Sequence, residues 1–208
     1  MGRMTDLAQK YCVSNIRDNL CRVGEEPSKE QALQKAISKF TCPRNPDIER
    51  FLKNSAVEFT RKSQSVTYLV FSREDWELLG YFTLTVKPLT VEASKVSKTV
   101  VRKLERVSRL DEASQTYTTA AYLIAQLGKN YTGGANTRIS GSELLGLAWD
   151  VIRRSQYALG GVIAFVEAEE HEQLLSFYQQ NGFRLFDRRM SSDTSDEAHE
   201  LVQMLRML

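Results

Sequence analysis

The sequence predicts a mixed α/β protein in which an early antiparallel strand pair is followed by a parallel pair. Three observations carry this. Two β-branched and aromatic runs, residues 65–71 and 78–86, flank the polar turn Arg73-Glu74-Asp75, which is hairpin-like spacing. Two apolar runs, 118–128 and 162–166, are separated by an amphipathic stretch long enough for a crossover helix, and strands so joined in one sheet run parallel. The 208 residues, 42% hydrophobic and 26% charged, suffice for a sizeable core and exclude whole-chain disorder and low-complexity classes.

The elements follow in order. Leu7, Tyr11, Cys12 and Ile16 recur at helical spacing, so residues 4–39 read as helical in two pieces broken at 24–27. Ser28 and Gln31 resemble a capping box for the second piece. Asn45 and Pro46 read as N-cap and first helical position, and Ile48, Phe51, Leu52, Ala56 and Phe59 extend one apolar stripe over 46–61. After the two hairpin strands, Val96, Val100, Leu104 and Val107 mark one face of a basic helix over 95–110. Its other positions carry Lys95, Lys98, Arg102, Lys103, Arg106 and Arg109 against Glu105, a solvated face or an anionic-ligand surface. Then come a central strand at 118–128, a loop at 130–138, a helix from about Gly141 ended by Gly160-Gly161, a strand at 162–166 and a helix at 171–180. Asn181-Gly182 reads as a carboxy-terminal cap. A strand at 183–189 and a polar loop at 190–198 follow; residues 200–208 fit strand or helix. The expected organisation is a helical extension, 1–39, and one domain, 40–208, with the basic helix 95–110 inserted in it.

Composition removes several chemistries. Lys and Arg number 28 against 26 Asp and Glu, a balance that neither requires nor excludes nucleic acid. Two histidines leave little room for a histidine-rich metal site or a serine–histidine triad, and no metal is expected. Cys12, Cys21 and Cys42 are odd in number and form no Cys-x-x-Cys, so reduced thiols in a cytosol are expected. Residues 1–10 are polar where a secretory leader needs an apolar run. The longest apolar run, near 159–166, is far short of a membrane span, so a soluble cytoplasmic protein is expected.

The chemistry concentrates in 125–183, which alternates strand, glycine-bearing loop, helix, strand, helix, strand. A helix amino terminus behind such a loop suits phosphate, because unpaired N–H groups converge there and the helix dipole favours anions. The loop offers Gly133, Gly134 and Gly141, with Arg138 as counter-charge; a flexible surface loop is the alternative. Neither a Walker pattern nor a dinucleotide fingerprint is present.

FYQQNGF at 177–183, read with AQLGKNY and ISGSELL upstream, resembles the GNAT acetyltransferases, which transfer acetyl from acetyl-CoA to an amine. FYQQNGF is similar to their FYxxxGF signature, ISGSELL to the end of their phosphate loop, and LIAQLGKN to their pantetheine-pairing strand. The resemblance covers about 65–189. Phe40-x-Cys42, DIERFLKNSA, SVTYLVF and GYFTL further resemble the opening of the GNAT toxins that acetylate aminoacyl-tRNA. Departures stand beside the likeness. The loop is longer than the family's, the Q/R-x-x-G-x-G/A register falls on Asn136, Thr137, Arg138, Ile139, Ser140 and Gly141 with only the last glycine kept, and Glu143 brings an anion near the phosphates.

The resemblance implies a GNAT-like fold with a splayed parallel pair and acetyl-CoA as cosubstrate. It implies acetyl-CoA contacts at Leu127, Gly128, Lys129, Asn136, Thr137, Arg138, Ile139, Ser140, Gly141 and Ser142. Tyr178 becomes the candidate acid for the CoA thiolate; the alternative is a half-buried core tyrosine. Lys129 is a phosphate contact or a solvated edge charge. No general base is assigned: Glu167, Glu169 and Glu170 read as a solvated turn, His171 as a surface residue, and water can carry the proton. Trp149 reads as core and Trp76 as strand-flanking or acceptor-side. The acceptor is a primary amine, of aminoacyl-tRNA in the toxin reading, with a small antitoxin as partner. A small or protein amine is the second reading, and a non-catalytic CoA- or RNA-binding module the third. Residues 1–39 are then a regulatory lid or a homodimer element.

Overall fold

The computed structural model describes residues 7–20, 28–191 and 200–208. Strand β1 (Tyr11–Asn15) leads to a short 3-10 turn, then helices α1 (Ser28–Ser38), α2 (Pro46–Asn54) and α3 (Ala56–Arg61). Strands β2 (Val66–Ser72) and β3 (Leu78–Glu92), helix α4 (Lys98–Leu104), strand β4 (Leu110–Asp111) and the long strand β5 (Thr116–Lys129) follow. Helix α5 (Gly141–Leu159), strand β6 (Ile163–Glu169), helix α6 (Glu172–Gln180), strand β7 (Arg184–Met190) and strand β8 (Glu200–Met207) complete the chain.

The eight described strands join in the order β1-β2-β3-β5-β6-β8-β7, with β4 beside β5. Pairs β1–β2, β2–β3, β4–β5, β6–β8 and β7–β8 are antiparallel. Strands β5 and β6 are parallel, as their crossover through α5 requires, and register at Tyr122↔Ala164 and Leu123↔Phe165. Both strands run on past that short ladder, to Lys129 and Glu169. The mixed sheet expected from the sequence is therefore present.

The chain divides into two compact units, Met1–Thr85 with Ala125–Asp150 and Val86–Ile124 with Val151–Leu208. The first has its own core of Ile16, Leu33, Ile37, Phe40, Leu52, Leu69 and Tyr81 among others. Phe40 meets Tyr81 edge-on at 5.2 Å between ring centroids, and the Tyr81 hydroxyl donates to the Ile48 carbonyl at 2.6 Å. A buried aromatic thus keeps its polar end satisfied. Gly80 and Gly128 let two strands and a helix approach closely: a Cβ on Gly80 would lie 2.7 Å from the Gly128 carbonyl oxygen, and one on Gly128 2.3 Å from Ile48 Cγ2. The second unit closes its own core around Leu89, Val91, Leu104, Tyr117, Ile163, Phe165, Phe186 and Leu205.

Three sequence expectations change, and one left open is decided. Residues 11–15 are not helical: they form β1, which pairs with β2 from Tyr11↔Ser72 to Asn15↔Tyr68. The stripe over 46–61 is two helices, broken at Ser55, whose backbone leaves the helical region at φ −122°. The basic helix over 95–110 shrinks to α4: the Ser97 hydroxyl caps its start by accepting from Val100 N–H, and Leu110 turns away to pair with Tyr117. Val107, expected on the apolar face, is 49% exposed. Residues 200–207, left open between strand and helix, are strand β8, inserted between β6 and β7. The loop expected at 190–198 lies almost wholly outside the described residues.

Candidate active site

The loop between β5 and α5 is tied down along its length, and every tie lies in the first unit. Asn130 opens it. This buried side chain makes three hydrogen bonds: its amide donates to the Leu78 carbonyl at 2.8 Å, and its oxygen accepts from Thr41 N–H at 3.0 Å and Thr132 N–H at 3.1 Å. These bonds offset the cost of burying the amide. The Thr132 hydroxyl adds a bond to the Lys39 carbonyl at 2.5 Å. Gly133 and Gly134 then take left-handed backbones, φ 59° and 80°, which a side chain would strain.

Lys129 Nζ reaches across the loop and donates to the Asn136 carbonyl at 2.8 Å and the Ile139 carbonyl at 3.2 Å. Its ammonium therefore braces the loop from within. The Thr137 hydroxyl donates to the Gly134 carbonyl at 2.8 Å, and the Ile139 side chain is buried. Arg138 turns to the acidic turn between β2 and β3. Nη1 donates to Asp75 at 2.8 Å and Glu77 at 2.5 Å, and Nη2 to Asp75 at 3.1 Å and the Ser72 hydroxyl at 3.0 Å. Glu74 lies 3.5 Å away. Hydrogen bonding to Arg138 holds the Asp75 carboxyl down at about 2.

Ser140 and Glu143 form a capping box. The Ser140 hydroxyl accepts from Glu143 N–H at 3.1 Å, and the Glu143 carboxylate accepts from Ser140 N–H and hydroxyl, both at 2.8 Å. Burial pulls the Glu143 carboxyl upward, but these bonds, the Tyr11 hydroxyl and Lys10 outweigh it and hold it below the usual carboxylate range. The anion that sequence reading placed near the phosphates is thus spent on the helix start. The S-x-x-E spacing was the signal for it, and a cap of this kind is worth about 0.5–2 kcal/mol. Gly141 is half-buried and Ser142 exposed at the first turn of α5.

Leu127 and Lys129 are half-buried at the end of β5, and Gly128 between them is buried. Sequence reading missed Asn130 and the carboxylates of Asp75 and Glu77. The first betrays itself only as an amide at a strand end. The other two sit over sixty residues from Arg138.

Tyr178 lies in the second unit, on the last turn of α6. Its ring is buried edge-on against Phe177 at 5.1 Å and Phe183 at 5.6 Å. The chain turns directly after it: Phe183 N–H donates to the Tyr178 carbonyl at 3.0 Å, and Gly182 takes φ 86°. Burial alone pushes the phenol up to about 12, with no hydrogen bond to its hydroxyl among the described residues. The carboxylates of β6 and of the turn after it are engaged. Glu167 receives Arg189 Nε at 2.5 Å and Nη2 at 2.6 Å and the Gln203 amide at 2.8 Å; Glu170 pairs with Arg188, and Glu169 with His171. Among the described residues no group of three His, Cys, Asp or Glu is placed to hold a metal, and no helix is long and apolar enough to cross a membrane.

The fold is similar to that of several solved toxin structures. A crystal structure of a tyrosine-to-phenylalanine variant of KacT matches with a TM-score of 0.62 at 18% identity, covering 95% of each chain. AtaT complexed with acetyl-methionyl-tRNAfMet matches at 0.60 and 16% identity, over 92% of this chain and 93% of that one. A crystal structure described as a bacterial toxin matches at 0.60 and 19% identity, over 95% and 90%. No protein-family model and no curated protein sequence matches the chain. The motif resemblance thus holds at the level of the fold.

Proposed function

We propose that the protein is an acetyl-CoA-dependent N-acetyltransferase that acts in the cytoplasm on the amine of an aminoacyl-tRNA, as a toxin restrained by a small antitoxin. The observation that carries this is the fold likeness over nearly the whole chain to AtaT, complexed in one structure with an acetylated aminoacyl-tRNA and in another with acetyl-CoA. Structures of AtaT with its antitoxin AtaR, and of a KacTA–DNA complex, support the partner reading.

In this reading the first turn of α5 and the loop 136–142 take the pyrophosphate, and Leu127–Lys129 pairs with pantetheine. The neutral amine attacks the thioester carbonyl, its nitrogen gaining the acetyl group as the carbon–sulfur bond breaks. The departing sulfur takes the Tyr178 proton, and the proton shed by the amine returns through solvent to restore the phenol. Burial pushes the phenol up to about 12, so it holds its proton at neutral pH.

The test is transfer from labelled acetyl-CoA to separate pools of charged tRNA, small amines and peptides. Acetylation confined to charged tRNA supports the proposal. Transfer only to a small amine or peptide sinks the tRNA part, and no turnover with any acceptor leaves a binding module.

A further inference from the structure

The loop before α5 carries one arginine, and its guanidinium is aimed away from a phosphate-binding role. Its two terminal nitrogens make four hydrogen bonds of 2.5–3.1 Å, to Asp75, Glu77 and Ser72. Glu74 adds a third carboxylate at 3.5 Å. Three carboxylates around one guanidinium leave local negative charge, a poor place to bring a pyrophosphate. The planar fork on Asp75 is also the geometry that fixes a position, since both nitrogens share one carboxylate.

The surroundings complete a clamp. Lys129 grips the carbonyls of Asn136 and Ile139, on either side of Arg138. The Arg138 carbonyl itself accepts from the Tyr11 hydroxyl at 3.2 Å. Ile139 is buried, and Ser140 starts the helix by its capping box with Glu143. Each residue from 136 to 140 therefore has an anchor, and the guanidinium ties the loop to the β2–β3 turn.

We infer that Arg138 is a positioning residue for the proposed acetyl-CoA site: with Asp75 and Glu77 it clamps the loop to the β2–β3 turn and so fixes the first turn of α5, instead of lending its charge to phosphate. This rests on the acetyltransferase reading above. A clamp and a phosphate contact predict opposite signs for the same change. Neutralising the carboxylates loosens a clamp and weakens acetyl-CoA binding. It releases an arginine that binds phosphate, and so tightens it.

The experiment measures acetyl-CoA affinity by calorimetry, with steady-state kinetics, for wild type, Asp75→Asn, Asp75→Asn/Glu77→Gln, Arg138→Ala, Arg138→Lys and the triple combination. The clamp predicts a Kd and KM for acetyl-CoA raised about 10- to 100-fold with kcat at saturation kept, as for a misplaced binding group. It predicts that Arg138→Ala adds no further loss in the neutralised background and that Arg138→Lys, lacking the fork, does not rescue. Tighter binding by Asp75→Asn, or unchanged affinity in every variant, overturns it while the acetyltransferase reading stands. Absence of acetyl-CoA binding by the wild type overturns both. Asp75→Asn alone, on an exposed turn, keeps the sign readable should a multiple variant fail to fold.

Discussion

Tyr178 holds its ring between Phe177 and Phe183 while nothing in the described chain bonds its hydroxyl. Removing that oxygen should therefore cost packing little and chemistry much. Tyr178→Phe is expected to lower kcat by about 10²–10⁴-fold with the KM for acetyl-CoA nearly unchanged, read from steady-state rates at saturating acceptor. An equal loss of acetyl-CoA affinity would mark the tyrosine as packing. The same variant tests the burial. An unfolded tyrosine ionises near 10 and this one at about 12, so the folded state binds the proton more tightly. Its stabilising contribution is complete below pH 10 and is lost as pH rises through about 12, an effect of roughly 3 kcal/mol. Urea midpoints taken from pH 8 to 12 should fall less steeply for Tyr178→Phe than for wild type. Parallel curves would mean the phenol is solvated.

At the scale of elements, the two glycines of β3 and β5 are matched differently to their neighbours. The Cβ of Gly80→Ala would meet a backbone oxygen at 2.7 Å, whereas that of Gly128→Ala would meet the Ile48 side chain at 2.3 Å. Overpacking of this kind costs about 1–3 kcal/mol, roughly 2–12 °C in Tm for a chain of this size. Both substitutions should lower Tm, but Ile48→Ala should recover part of the loss only for Gly128→Ala. Recovery of both by Ile48→Ala would disprove the backbone clash at Gly80. Elements of this sort show how legible the sequence was. The long strands and α5 were readable because their apolar patterns are unambiguous and glycines punctuate them. Strand β1 was not, because Leu7, Tyr11 and Cys12 imitate a helical repeat and its partner β2 lies more than fifty residues on. The break at Ser55 left no mark, since the apolar stripe runs through it. In the candidate site the loop and Tyr178 were legible as motifs. The bonds of Arg138, Lys129 and Asn130 were not, because they are set by tertiary neighbours rather than by spacing.

The molecule as a whole is nearly neutral, 28 basic against 26 acidic residues, so a polyanionic acceptor must find charge that is concentrated. The segment 95–110 is the place to look, and its positive residues are not equivalent. Lys95 is spent on Asp187 at 2.7 Å, and Lys103 leans on the Leu208 carbonyl at 3.3 Å. Arg102, Arg106 and Arg109 are exposed, while Val100 and Leu104 carry the packing of α4. Reversing the three arginines to glutamate should therefore leave the fold intact. If the acceptor is a tRNA, affinity should fall, and the log–log salt slope should shrink by up to about 0.9 for each duplex phosphate that is no longer neutralised. Transfer to a small amine, which carries no phosphate backbone to neutralise, should be untouched. The readout is tRNA binding across a salt series beside small-amine turnover, with circular dichroism to confirm folding. Unchanged tRNA affinity and salt slope would make the basic surface a solvated face, and a small amine would become the better acceptor.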